Sequence, residues 1–140
     1  MANPGLAVVA DHAGGLMAVD LTARRVRNLS CPPGATLLGV DGLVAAPDGR
    51  LLAVQNGLRP KRILRLTLDA TVEAVEELEI LEAGHLPMAA PALGCVGPEG
   101  DFYFIGNAGW SRFEGDASAG ASAPRTVPIY RTKLGGPAKK

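Results

Sequence analysis

Four oxygen-bearing side chains, Asp11, Asp41, Asn56 and Asn107, sit where strand-like apolar runs begin or end. Carboxylate and amide oxygens gathered on one rim suit a hard divalent cation, which takes six to eight oxygens, waters included. Asp and Asn at strand ends also favour turns for backbone reasons alone, so each of the four carries a structural reading beside the functional one. Trp110, in Asn107-Ala108-Gly109-Trp110, caps that rim, lines a substrate pocket or, as a lone Trp more commonly does, packs against the insertion that follows it. His12 and His85 have no second His or Cys at metal-ligand spacing. Both read as surface histidines, although His12, beside Asp11, is also placed to face a channel.

Other chemistries lack their motifs. Ser30, Ser111, Ser118 and Ser122 stand outside any GxSxG elbow. No GxGxxG opens a helix and no P-loop is present. Cys31 precedes Pro32-Pro33 without a histidine partner, which argues against a thiol nucleophile. Cys31 and Cys95 are expected as two buried free thiols, a disulfide being the alternative. The acidic strip from Glu73 to Glu82 offers no paired carboxylates that belong to a cleft.

The elements that must position these residues are short. The chain has 140 residues, about one domain, with 47% apolar and 20% charged residues. That composition builds a core and excludes wholesale disorder. Glycine and proline number 18 and 11, which favours many short elements joined by turns. Basic and acidic residues balance at 14 each, so no global field attracts nucleic acid or an anionic membrane. No apolar run approaches a membrane span of about 20 residues. The start, Met1-Ala2-Asn3-Pro4-Gly5, lacks the regions of a signal peptide, and the expected location is cytoplasmic.

Laid against itself, the sequence repeats. Asp48-Gly49-Arg50-Leu51-Leu52-Ala53-Val54-Gln55-Asn56-Gly57 matches the segment from Glu99 to Ala108 at an offset of 51 residues. Each has an acidic-Gly turn, an apolar run, a small or polar residue and then Asn. Leu6-Ala7-Val8-Val9-Ala10-Asp11 fits the same frame 45 residues before Leu51, which places Asp11 where the others have Asn. A further strand-like run follows each segment, at Leu16 to Leu21, Ile63 to Leu68 and Ile129 to Leu134.

Asp69-Ala70-Thr71 makes a tight turn, and a strand after it would set Glu73, Glu76, Glu77 and Glu79 across from Arg62 and Arg65. Val72, Val75, Leu78 and Leu81 recur every three residues and suit a short helix as the alternative.

Short antiparallel strands repeating every 45–51 residues are the signature of propeller blades. The expected fold is all-β, built of four-stranded antiparallel blades. Residues 1–30 supply the outer strands of a first blade and residues 31–83 a complete blade. Residues 84–135 form a further blade with a Gly/Ala/Ser-rich insertion near 111–126, and 136–140 are a tail. That is about two and three-quarter blades, whereas closed propellers use four to eight. Geometry then assembles the site. The start of one antiparallel strand and the end of its neighbour share a rim. Asp41 opens an innermost strand, while Asp11, Asn56 and Asn107 close second strands.

Leu37-Leu38-Gly39-Val40-Asp41-Gly42-Leu43, then Leu52 to Gly57 and Arg62-Ile63-Leu64-Arg65-Leu66, resemble the six-bladed propellers of the gluconolactonase, senescence-marker-protein and luciferin-regenerating-enzyme group. The strictosidine-synthase-like propellers are close relatives of that group. The resemblance runs from about Ala7 to Leu134 and is greatest to the later blades. It implies a divalent cation, commonly calcium, at the top of a central channel, with Asp41 in the place of the Pro-Asp-Gly aspartate. Here Val40 replaces that proline, and Ala92 stands at the equivalent place in the next repeat.

Two functions from different classes follow. One is a non-catalytic propeller segment, a scaffold or binding module. The other is a metal-dependent lactone or ester hydrolase acting on a small molecule. In the hydrolase, Asp41 and Asp11 hold the cation, and Asn56, Asn107 and Trp110 contact substrate. Two copies of nearly three blades add to about six, so a homodimeric ring is one expectation; a fragment of a longer product is the other.

Overall fold

In the computed structural model, which describes residues 5–109 and 126–135, short apolar runs pair as antiparallel strands around tight turns. Trp110, most of the 111–126 insertion and the 136–140 tail lie outside the described residues. The fold is all-β. The first sheet joins β1 (Leu6–Asp11), β2 (Gly15–Asp20) and β3 (Arg25–Asn28). The second has four strands, β4 (Val40–Ala45), β5 (Leu51–Gln55), β6 (Arg62–Leu68) and β7 (Val75–Ala83). The third pairs β8 (Gly94–Val96), β9 (Phe102–Ile105) and β10 (Ile129–Thr132). Strands follow one another through each sheet as in a meander, and the sheets do not close into a barrel, as expected of partial blades. Among the described residues no helix is long and apolar enough to cross a membrane.

The turns do what their residue types allow. Gly49 and Gly100, in the two acidic-Gly turns, adopt φ of 85° and 84°. Their N–H groups return to the carbonyls of Ala46 and Gly97 at 3.0 and 2.9 Å. The segment after Asp69 is a strand, not a helix, because the Asp69 carboxylate ties the turn shut. It accepts from the backbone of Glu73 at 2.7 Å and Ala74 at 2.9 Å, and from the Thr71 hydroxyl. The Thr71 hydroxyl foremost, then the Ala74 and Glu73 N–H groups, favour the ionised form and lower the Asp69 pKa to about 2. Arg65 then meets Glu79 directly across the ladder, Nε to Oε2 at 2.7 Å.

Alternation along the strands builds two apolar layers. Leu16 and Ala18 of the first sheet pack with Val40, Ala53, Leu64, Leu66 and Val75 of the second. The opposite face of the second sheet carries Leu52, Val54 and Ile63, which pack with Phe102 and Phe104 of the third. The middle sheet is therefore covered on both faces. Of the two cysteines, Cys31 is half-buried but Cys95 is exposed, because it faces away from this second layer; both are free thiols. The expectation that both are buried fails: Cys95 is exposed and Cys31 is only half-buried.

Face parity corrects the repeat at the start of the chain. Leu6, Val8 and Ala10 face the following sheet. In β5 the residues facing the following sheet are Leu52 and Val54, not Leu51 and Ala53. An offset of 45 therefore sets opposite faces together, since one residue of slip turns a strand over. An offset of 44 restores the faces and makes His12, not Asp11, the counterpart of Asn56. The 51-residue offset keeps its parity: Phe102 and Phe104 face the sheet that precedes theirs, as Leu51 and Ala53 do.

One glycine contact has a measurable consequence. Gly39 sits at φ 74°, and a Cβ built there lies 2.7 Å from the Cα of Gly57. Backbone cannot yield as a side chain does. Gly39→Ala is expected to lose roughly 1–3 kcal/mol from crowding and positive φ. A urea midpoint unchanged from wild type would show that the two loops separate freely.

Candidate functional site

The rim where the site forms is set by the loops that end β1 and β5 and begin β4 and β8. His12 follows β1, and its carbonyl accepts from the Gly39 N–H at 2.8 Å. Gly57, just past Asn56, donates to the Gly39 carbonyl at 3.1 Å. A side chain at Gly57 would come within 2.8 Å of His12 Nε2. Glycine there lets the two loops approach closely enough for the side chains beside it to meet.

Asp41 is placed by a bulge. Val40 pairs with Gln55 and Gly42 with Val54, which leaves Asp41 as the extra, unpaired residue between them. Bulges re-aim side chains in this way. The Asp41 carboxylate reaches Asn56, whose Nδ2 donates to Asp41 Oδ2 at 2.8 Å and to the Pro91 carbonyl at 3.0 Å. The amide oxygen of Asn56 faces His12 Nε2 at 3.2 Å. One amide thus links the ends of three sheets: His12 from the first, Asp41 from the second, and Pro91 leading into the third.

The other two candidates are committed locally. The Asp11 carboxylate accepts the backbone N–H groups of Ala13 at 3.0 Å and Gly14 at 2.5 Å, so it shapes the β1–β2 turn. Asn107 Oδ1 accepts from Gly109 N at 2.9 Å. Asn107 lies at the same rim, bridged to Ala90, but it makes an Asx turn. The structure brings Asp41 and Asn56 into contact and leaves Asp11 and Asn107 in turns beside them.

This donor set does not by itself suit a calcium ion. The Asn56 amide protons point at Asp41 Oδ2 and the Pro91 carbonyl, the two oxygens a cation would take. The cluster offers one carboxylate, and among the described residues no three His, Cys, Asp or Glu side chains gather as a metal group. A hard cation takes six to eight oxygens. As arranged, the cluster is a closed polar seam.

Gln55 is the structural residue that sequence reasoning passed over. It is fully buried, and its Nε2 donates to the carbonyls of Thr36 at 2.9 Å and Leu38 at 2.7 Å. It fastens the segment that delivers Gly39 and Asp41 to the rim. Among the described residues its buried Oε1 has no hydrogen-bond partner. The signal was present as the one polar side chain closing the run Leu52-Ala53-Val54-Gln55.

The sequence matches no family model and no curated protein. The likeness to the gluconolactonase group therefore rests on the residues quoted above alone.

Proposed function

We propose that this chain is a partial six-bladed propeller of the gluconolactonase-like superfamily, acting as a non-catalytic scaffold or binding module whose ring is completed by a second copy. The observation that carries this reading is the character of the two outer faces. On the first sheet Val9 pairs with Met17 and Val19 with Val26, all on the face turned away from the second sheet. Val9 is 45% exposed and Val26 61%. On the third sheet Ile105 pairs with Ile129 on the corresponding outward face. Ile129 is 58% exposed, and Leu93, which accepts the Ile105 N–H, is 64% exposed. These are the two unlike faces that the middle sheet keeps covered. Joining the first sheet of one copy to the third of another repeats a packing already present twice in the chain, and contiguous exposed apolar faces favour such association.

The test is the solution mass by light scattering on a sizing column. A sharp dimer is expected; a monomer at tens of micromolar would overturn the assembly. The alternative is a calcium-dependent lactone or ester hydrolase once the ring is complete, in which further blades bring the missing oxygens to Asp41. Calcium titration separates the two. The scaffold reading expects no saturable calcium binding by the dimer. Saturable binding lost in Asp41→Ala would favour the hydrolase.

A further inference from the structure

We infer that the notch between the β5–β6 loop and the β7–β8 loop binds a small organic carboxylate, with Arg59 and Lys61 holding its charge and Leu86 and Met88 its apolar body. The notch is an open recess of about 190 Å³ lined by Arg59, Pro60, Lys61, Gly84, Leu86 and Met88. It lies three residues beyond Asn56 on the same rim, yet it shares no side chain with the Asp41–Asn56 cluster. The inference stands whether or not a cation binds.

Its electrostatics are unbalanced. Arg59 and Lys61 flank Pro60 on one loop, and among the described residues neither forms an ion pair. The Lys61 ammonium is held in place by the Ala89 carbonyl, a neutral acceptor. Glu82, near the end of β7 and just before the facing loop, is the nearest acid in sequence to that wall, but its Oε1 accepts the backbone N–H of His85 at 2.8 Å and of Leu86 at 3.3 Å, and faces His85 Nδ1 at 3.2 Å. It shapes the far wall and leaves the two cations uncompensated. Partial burial, and then the charge of Arg59, lowers the Lys61 pKa. An anion placed between the two cations relieves both penalties.

The floor selects the kind of anion. Met88 is 9% exposed and belongs to the core layer between the second and third sheets, and Leu86 packs against it. A free phosphate would bring a hydrated dianion onto apolar side chains, with nothing to replace its water. A carboxylate on a single apolar ring matches both parts, its oxygens on the Arg59 and Lys61 donors and its ring on the floor.

Benzoate is the probe, titrated at low salt with EDTA present and read by saturation-transfer NMR, with benzamide as its neutral isostere. Benzoate is expected to saturate at millimolar concentration and to bind about tenfold or more tightly than benzamide, as loss of a charge-assisted bond implies. Arg59→Gln and Lys61→Gln should each weaken benzoate by about the same factor and leave benzamide unchanged. Lys61→Arg should retain binding, which separates loss of charge from loss of fold. No saturation, equal binding of benzamide, or unchanged binding in both glutamine variants would overturn the site. Inorganic phosphate binding more tightly than benzoate would overturn the assignment of an apolar body. Because EDTA removes divalent cations, failure of the calcium reading does not affect this result.

Discussion

Gln55→Glu is expected to destabilise the fold by about 3–5 kcal/mol at neutral pH, the usual cost of an uncompensated buried charge. The side chain is fully buried, and both amide protons go to carbonyls, those of Thr36 and Leu38. A carboxylate of the same shape sets acceptor against acceptor and has no cation in its place. The protonated acid does better, because its O–H donates to one of the two carbonyls. Burial therefore raises the carboxyl pKa of the folded variant above the unfolded value of about 4.3. Below that value both states are protonated and the difference from wild type is smallest. As pH rises the unfolded chain ionises first, so the variant loses stability until pH passes the folded pKa, and then the loss levels off. Urea midpoints at pH 4 and pH 7 measure this directly. An equal loss at both pH values would mean that water reaches the site. Gln55→Leu separates the charge from the bonds, since it leaves two carbonyls without a donor and should cost roughly 1–3 kcal/mol without pH dependence.

The sequence made the strands legible and hid their fine register. Acidic-Gly turns before Leu51 and Phe102 announce hairpins, and apolar runs of four or five residues are too short for most helices. Those local signals need no tertiary partner, so they survive in the sequence alone. The slip at Asp11 arose because Leu6 to Ala10 is apolar at every position and has no polar alternation to mark its faces. Only packing against the second sheet decides that Leu6, Val8 and Ala10 point inward. His12 reads as a surface residue because no second His or Cys stands at metal-ligand spacing, and it is exposed while also meeting Asn56.

The site was legible as a rim and illegible as a network. Antiparallel geometry alone sends Asp41, Asn56, Asn107 and the end of β1 to one side. Which of them touch depends on features that no motif carries. The bulge frees Asp41 from the ladder, and Gly39 and Gly57 have no side chains to hold the loops apart. Asp11 and Asn107 stay in turns because a backbone N–H lies two residues away, nearer than any partner across the rim. The Arg59–Lys61 recess depends on two loops 23 residues apart in sequence, which meet only after β6 and β7 pair.

Phe104→Ala should remove about 3–5 kcal/mol, by lost apolar transfer and by the cavity it leaves. Phe104 is 1% exposed and stacks on Phe102, ring centres 5.8 Å apart, while Tyr130 tilts against its other side at 5.8 Å. These rings pack β9 and β10 of the third sheet into the layer against the covered face of the second sheet. The loss should also be uneven. The third sheet follows the segment that carries the Pro91 carbonyl, so loosening it weakens the Asn56 bond from that side. Asp41 and His12 are held by the first two sheets, whose layer contains no aromatic ring among the described residues. Native-state hydrogen exchange should therefore show β9 and β10 amides losing protection before those of β2, β5 and β6. Uniform loss across all three sheets would mean that the stack unfolds as one unit, with the rim cluster no more than a bystander. Uneven loss would place the control of the rim in the aromatic layer behind it, where residues that never reach the Asn56 amide set how firmly its third partner is held.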